Sequence, residues 1–208
     1  MVRAKDPAVR TLLVERAAQM LRAREPLTLR SLVTGTGVST MAVYTYFGGM
    51  DGLWKALRQE GFTRLGSGFR TVETSGDGVR DLAALSASYI DNALDHPDLY
   101  RVMFDASVEL EDLEAADATL EFLVQAARRA RNEGRFRADV DPLELAIQSW
   151  AIDHGLVSLV ANGPLPHTTV DHCVVMLTAL FVQAGDEPDR CRASVEEGWK
   201  QRAGRERR

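Results

Sequence analysis

The stretch Leu27-Thr28-Leu29-Arg30-Ser31-Leu32-Val33, continuing through Thr34-Gly35-Thr36-Gly37-Val38-Ser39 into Thr40-Met41-Ala42-Val43-Tyr44-Thr45-Tyr46-Phe47, decides how this chain reads. Thr28 can cap a short helix, with Leu27 placed to staple onto Leu32 at the N4 position. That helix must end by Gly35 or Gly37, because Gly-Thr-Gly is a poor helix interior and glycine supplies the left-handed exit a helix usually needs. Ser39 then caps a further short helix, and Val38 is placed to pack on Val43. Upstream, Asp6-Pro7 joins an N-cap to a proline at the first helical position. Val9, Leu12, Leu13, Ala17, Met20 and Leu21 recur there on one face, which predicts a helix over 7–24. Two short helices joined by a glycine turn, behind a longer amphipathic one, form a helix-turn-helix signature.

Working outward, Gly48-Gly49 breaks the chain and a fourth helix starts near Met50, with Leu53, Trp54, Leu57 and Leu65 as its apolar side. Its far end reads as weak, since Gly61, Gly66 and Gly68 each cost about 1 kcal/mol relative to alanine in a helix. A junction is expected between Gly66 and Gly78, where Thr74-Ser75-Gly76-Asp77-Gly78 reads as a loop. Further helices are predicted over 79–95, 97–108, 112–134, 142–162 and 169–185. Asp141-Pro142 with Glu144 opens the fourth of these with a cap, a proline and a capping-box partner. Strand signals are nearly absent. The expected fold is therefore all-α, with a helix-turn-helix domain at 1–65, a helical domain at 66–197 and a flexible basic tail at 198–208.

The helix over 142–162 is apolar on two sides, Leu143, Ile147, Trp150 and Val157 on one and Leu145, Ile152, Leu156 and Leu159 on the other. The helix over 169–185, with Val170, Cys173, Val174, Leu177, Leu180 and Phe181, is broadly apolar too. Helices so hydrophobic must be buried against several partners. This predicts a two-fold dimer joined through both as a four-helix bundle, with Leu177 and Phe181 at the interface.

Composition narrows the function. Of 208 residues, 45% are hydrophobic and 26% charged, which fits an ordinary globular protein and excludes disordered and collagenous classes. No apolar run approaches the ~18 residues needed to cross a bilayer and no signal-peptide core follows Met1, so a cytoplasmic protein without a membrane role is expected. Cys173 and Cys191 read as reduced thiols. The net charge of −5 conceals an asymmetry: residues 1–65 hold 10 Lys and Arg against 5 Asp and Glu, whereas 66–197 hold 10 against 24. Binding follows the local patch, so only the N-terminal third is suited to nucleic acid.

On residues 27–57 the chain resembles the TetR family of bacterial transcriptional regulators. The similarity lies in the Leu27-Thr28 opening, Gly37-Val38-Ser39, the run Val43-Tyr44-Thr45-Tyr46-Phe47 and the Asp51-x-Leu53 that follows. The family's lysine after the aromatic pair falls here on Met50, which removes one expected phosphate contact. The resemblance implies an N-terminal DNA-binding domain, a C-terminal helical ligand-binding and dimerisation domain, and repression relieved by a small molecule. A competing reading, favoured by Met50, is a helical ligand carrier or small enzyme that has lost its DNA role.

A recognition helix places its first turn in the major groove. Ser39, Thr40, Met41 and Ala42 are therefore the candidates facing bases, and the hydroxyls of Tyr44 and Tyr46 are long enough to reach phosphates or else serve packing. Arg30 matches a family position near a base edge or phosphate, and Arg3 and Lys5 belong to a basic arm or a solvated terminus. Neither a catalytic constellation nor a cofactor loop emerges: Gly35-x-Gly37 lacks a preceding strand and a third glycine, and His96, His154, His167 and His172 lack metal-ligand spacing. No enzyme activity, cofactor or metal is expected. Trp150 and His154 share one helix face and resemble the Trp-x-x-x-His-Gly signature of one C-terminal subgroup. They line an effector cavity or form a core pair. Tyr89, Tyr100, Met103, Phe104, Phe122 and Met176 are further cavity candidates.

Overall fold

The computed structural model describes residues 6–112, 114–161 and 163–203, and every regular element among them is helical. In order these are α1 (Pro7–Arg22), α2 (Leu29–Val33), α3 (Thr40–Phe47), α4 (Met50–Arg70), α5 (Gly78–Asp95), α6 (Pro97–Met103), α7 (Glu114–Asn132), α8 (Pro142–Ala161), a 3-10 turn (His167–Asp171), α9 (His172–Ala184) and α10 (Pro188–Ala203). The chain divides into two compact units, Met1–Thr63 with His96–Ala115, and Arg64–Asp95 with Ala116–Arg208. A single cut at Leu65 does not describe this division, because α6 joins the first unit.

In the first unit α1, α2, α3 and the first half of α4 close around Leu13, Ala17, Met20, Leu32, Val43, Leu53 and Leu57, and α6 adds Leu99 and Val102. Local signals start the helices. Asp6 accepts a hydrogen bond from Ala8 N–H ahead of Pro7, and Thr28 and Ser31 form a reciprocal capping box. Leu27 and Val38 pack against the core that holds Leu32 and Val43. Ser39 stands at the N-cap position of α3 with extended backbone, but its side chain makes no capping bond.

Two helix ends differ from expectation. α4 does not fade at its glycines and runs unbroken to Arg70. Gly61 serves close packing, since a Cβ there would lie 2.0 Å from the Met103 Cγ, and a Cβ on Gly68 would lie 3.2 Å from the Ser88 hydroxyl. α6 stops at Met103 rather than continuing to 108, because the Asp105 carboxylate takes the N–H and hydroxyl of Ser107 and so folds a competing turn.

In the second unit α5 is buried along 78–90, with α7, α8, α9 and α10 around it. α10 was not expected: its residues read as the end of a domain and a tail. It begins where the Glu187 carboxylate accepts the N–H groups of Asp189 and Arg190 ahead of the helix body. It buries Cys191, Ser194, Val195 and Gly198, a face too small and too polar to show as an apolar stripe. A Cβ on Gly198 would sit 2.3 Å from the Arg80 carbonyl oxygen, so only glycine lets α10 lie this close to α5.

A buried charge network closes the unit. Arg135 is wholly buried and donates two bonds of 2.7 Å to Asp186, one of 2.7 Å to Asp77 and one of 3.0 Å to Ser194. Burial opposes ionisation of Asp77, but the Ser194 hydroxyl, the Arg80 N–H and the Arg135 guanidinium together hold it below the usual carboxylate range. Both cysteines are buried free thiols, and burial pushes Cys191 up to about 12. Among the described residues no helix is long and apolar enough to cross a membrane.

Candidate nucleic-acid interface and effector cavity

α3 carries no charged residue, and its orientation follows from packing alone. Val43 is fully buried in the first unit's core, Ala42, Tyr46 and Phe47 pack partly against their neighbours, and the opposite side is left open. On that open side stand Ser39 and Thr40, then Met41 at 65% exposure and Tyr44 at 50%. Four of the expected DNA-facing residues thus share one accessible surface, while Ala42 lies at its margin.

The two tyrosines have different surroundings. Tyr44 projects outward with its ring over Gly49, whereas Tyr46 is half-buried and its hydroxyl accepts a bond of 2.8 Å from the Asp6 N–H. Tyr46 therefore ties the start of α1 to α3, and its hydroxyl proton stays available for donation. Arg30 is exposed on α2. Met50 packs against the core, which gives it a structural role. Arg3 and Lys5 lie outside the described residues.

The expected cavity residues fall into several distinct environments. Tyr100 and Met103 are buried in the first unit, where Tyr100 and Phe62 both pack on Phe104, with ring centroids 5.0 and 5.9 Å away. Tyr89, Phe122, Trp150, His154 and Met176 belong to the second unit. Met176 is 41% exposed on α9, on an outer face and not in an interior. Trp150 and His154 do meet, edge to face at 6.3 Å, and His154 Nδ1 shares a 3.0 Å hydrogen bond with the Tyr89 hydroxyl. Burial holds the imidazole below its usual range, so it is neutral at pH 7.

Between this pair's turns lies Asp153, which sequence reasoning passed over. It is 1% exposed, the Cys173 thiol donates to its Oδ1 at 2.9 Å, and its Oδ2 makes no hydrogen bond of ordinary geometry. Burial pushes its carboxyl up to about 7, an effect that Cys173 and Ser86 offset only in part. Its signal in the sequence was an acid within the apolar run of α8.

The second unit contains a cavity of about 360 Å³ between the end of α4, the start of α5 and α7. Phe69 and Phe122, edge to face at 5.7 Å, and Leu85 line it together with Asp81, Gln125 and Arg129. Of the eight expected cavity residues, Phe122 borders it. Arg129 offered a sequence clue, being a charge beside the buried Ala126, Ala127 and Ala130, but its partner Asp81 is 48 positions away. Among the described residues no group of three or more His, Cys, Asp or Glu side chains is placed to hold a metal ion.

Residues 82–184 match the family described as the tetracyclin repressor-like C-terminal domain. No curated protein sequence matches the chain. A protein of unknown function from Rhodococcus sp. RHA1 is similar over 89% of this chain and 100% of its own, at 23% identity and a TM-score of 0.73. PfmR from Thermus thermophilus, a TetR family transcriptional regulator, is similar over 84% and 99%, at 15% identity and 0.63. RolR in complex with resorcinol is similar over 91% and 93%, at 15% identity and 0.62. These likenesses are ones of fold.

Proposed function

This chain belongs to the TetR family of transcriptional regulators, and we propose that it is a cytoplasmic homodimer that binds an operator in duplex DNA and is released by a small molecule. It acts as a repressor rather than as an enzyme. The observation that carries this reading is the open face of α3, where Ser39, Thr40, Met41 and Tyr44 stand clear on a helix locked from behind by Val43. Uncharged polar and apolar side chains on a first turn suit base edges, and the Tyr44 hydroxyl suits a phosphate. Arg30 and Tyr46 flank them.

Dimerisation is supported by an outer face on α8 and α9. Leu143, Ile147, Ala151, Gly155 and Leu159 follow one another at four-residue steps, with Leu143, Ile147 and Leu159 each more than 40% exposed, and Val175 and Met176 are exposed on α9. A Cβ on Gly155 would meet nothing within the chain, so a partner helix has room to approach there. Leu177 and Phe181, expected at the interface, are instead fully buried inside the subunit. Ile147 and Val175 take their place in the proposal.

Release follows from a shift in population. An effector that binds better to a conformation with the wrong spacing of two recognition helices weakens operator affinity by that difference. The crystal structure of RolR with resorcinol supports a small-molecule site in this fold. Trp150 and His154 stand on α8, the helix that also bears the outer stripe, and His154→Ala should spare operator affinity while blunting release. Assignment of residues 150–155 to the Trp-x-x-x-His-Gly subgroup belongs to the same proposal.

The test is a mobility-shift assay with DNA from upstream of the chain's own gene. Thr40→Ala should change the preferred operator by about 1–3 kcal/mol at one base pair, whereas Tyr44→Phe should weaken all sequences alike. Uniform loss from both sinks the base assignment, and no shift by wild type sinks the function. Ile147→Asp should split the dimer in sedimentation, since a charge would be buried without a partner.

A further inference from the structure

The cavity of the second unit has a chemistry specific enough to name a ligand class. At about 360 Å³ it lies at the small end of ligand sites. Phe69, Phe122 and Leu85 form its apolar walls. The aromatic pair leaves a flat ring both edges and faces to pack against. Such walls favour a planar aromatic molecule of one or two rings.

The polar side is a donor without a partner beside a charge already matched. Arg129 Nη2 donates to Asp81 Oδ2 at 2.8 Å, and Asp81 also receives Arg80 and the Ser75 N–H and hydroxyl. Asp81 is thus shared by two guanidiniums, and the charges come out even only with the carboxylates of Glu73 and Glu121 set against Arg70 on the lining. Arg129 Nε, however, is buried and makes no hydrogen bond, a costly state for a donor. An acceptor oxygen on a ligand would relieve it. Glu73 and Glu121 stand on the lining with Arg70 as the remaining cation, so a full negative charge gains little there, and a positive one would meet Arg129. A hydroxyl suits both needs, because its oxygen accepts from Nε while its hydrogen is donated to the Gln125 carbonyl or the Glu121 carboxylate.

We propose that this cavity is the effector site and that it takes a neutral hydroxylated aromatic, with the ring between Phe69, Phe122 and Leu85 and the oxygen against Arg129 Nε. This rests on reading the chain as a ligand-responsive regulator. The site is also placed to be felt elsewhere in its unit. α5 carries Asp81, Leu85 and Tyr89 at successive four-residue steps, the first two in the cavity and the third bonded to His154 on α8.

Calorimetry on the full chain with 2-naphthol, naphthalene and 2-naphthoate tests the assignment. 2-Naphthol should bind about tenfold or more tightly than the other two, from one hydrogen bond to a charged donor. Arg129→Lys keeps a cation for Asp81 but removes Nε, and should cost 2-naphthol about tenfold while leaving naphthalene unchanged. Should that variant fail to fold, Ala118→Trp decides, because Ala118 is on the rim and an indole there closes the cavity. Undiminished 2-naphthol binding by Ala118→Trp, a preference for 2-naphthoate, or no binding by any probe overturns the proposal. A mobility shift without 2-naphthol binding leaves the regulator standing and removes this ligand class. Binding without a mobility shift does the reverse.

Discussion

The first unit and the second are held together by different means. In the first, helix starts are secured by neighbours a few positions away, as Asp6 caps α1 and Thr28 pairs with Ser31, around a core of aliphatic side chains. In the second, where Glu187 likewise caps α10, the start of α5, the segment after α7 and α10 are also joined by Arg135, Asp77, Asp186 and Ser194, through bonds that span 51 to 117 residues. Local capping contributes modestly and in many places, whereas a buried ion network concentrates its effect on a few groups that tolerate no missing member. The first unit should therefore degrade gradually under substitution and the second abruptly.

The largest expected effect is at the network. Arg135→Leu strands Asp186, 2% exposed, and part-buried Asp77 without their cation, and should cost about 3–5 kcal/mol in urea unfolding followed by circular dichroism. A loss below about 1 kcal/mol would show that the network is not what secures the unit.

Next comes Asp153. Its carboxyl titrates at about 7 in the fold against an ordinary value of 3.8. The folded chain therefore holds a proton that the unfolded chain has lost, and stability should decline as pH rises from about 4 to 7. Asp153→Asn should flatten that decline, gaining on the order of a few kcal/mol over wild type at pH 8 and little at pH 4. Parallel pH profiles of the two proteins would show that Asp153 does not titrate within the fold.

The smallest effects belong to the first unit and sharpen the contrast. Thr28→Ala removes a working capping box and should cost about 1 kcal/mol. Ser39→Ala removes a side chain that caps nothing and should stay within about 0.5 kcal/mol while still altering operator binding. Equal losses of stability would mean that Ser39 caps α3 in solution.

Legibility follows the same division. The helix-turn-helix could be read because its signals, Thr28, Gly35, Gly37 and the aromatic run to Phe47, lie within 20 positions. Gly61 of α4 misled because close packing on Met103 outweighs its weak propensity. α10 escaped notice because its buried face is mostly small or polar. Of the expected cavity residues, Tyr100, Met103 and Phe104 pack in the first unit, since apolar character alone does not tell a cavity wall from a core.

From the sequence come the all-α class and the two short helices α2 and α3 with the glycine turn between them, because periodicity and capping act over a few residues. Which apolar residues on α8 and α9 face outward, the pairing of Arg129 with Asp81, the burial of Arg135 and the raised carboxyl of Asp153 were decided by the tertiary structure. Each depends on a partner brought close from tens of residues away, and no local pattern encodes that distance.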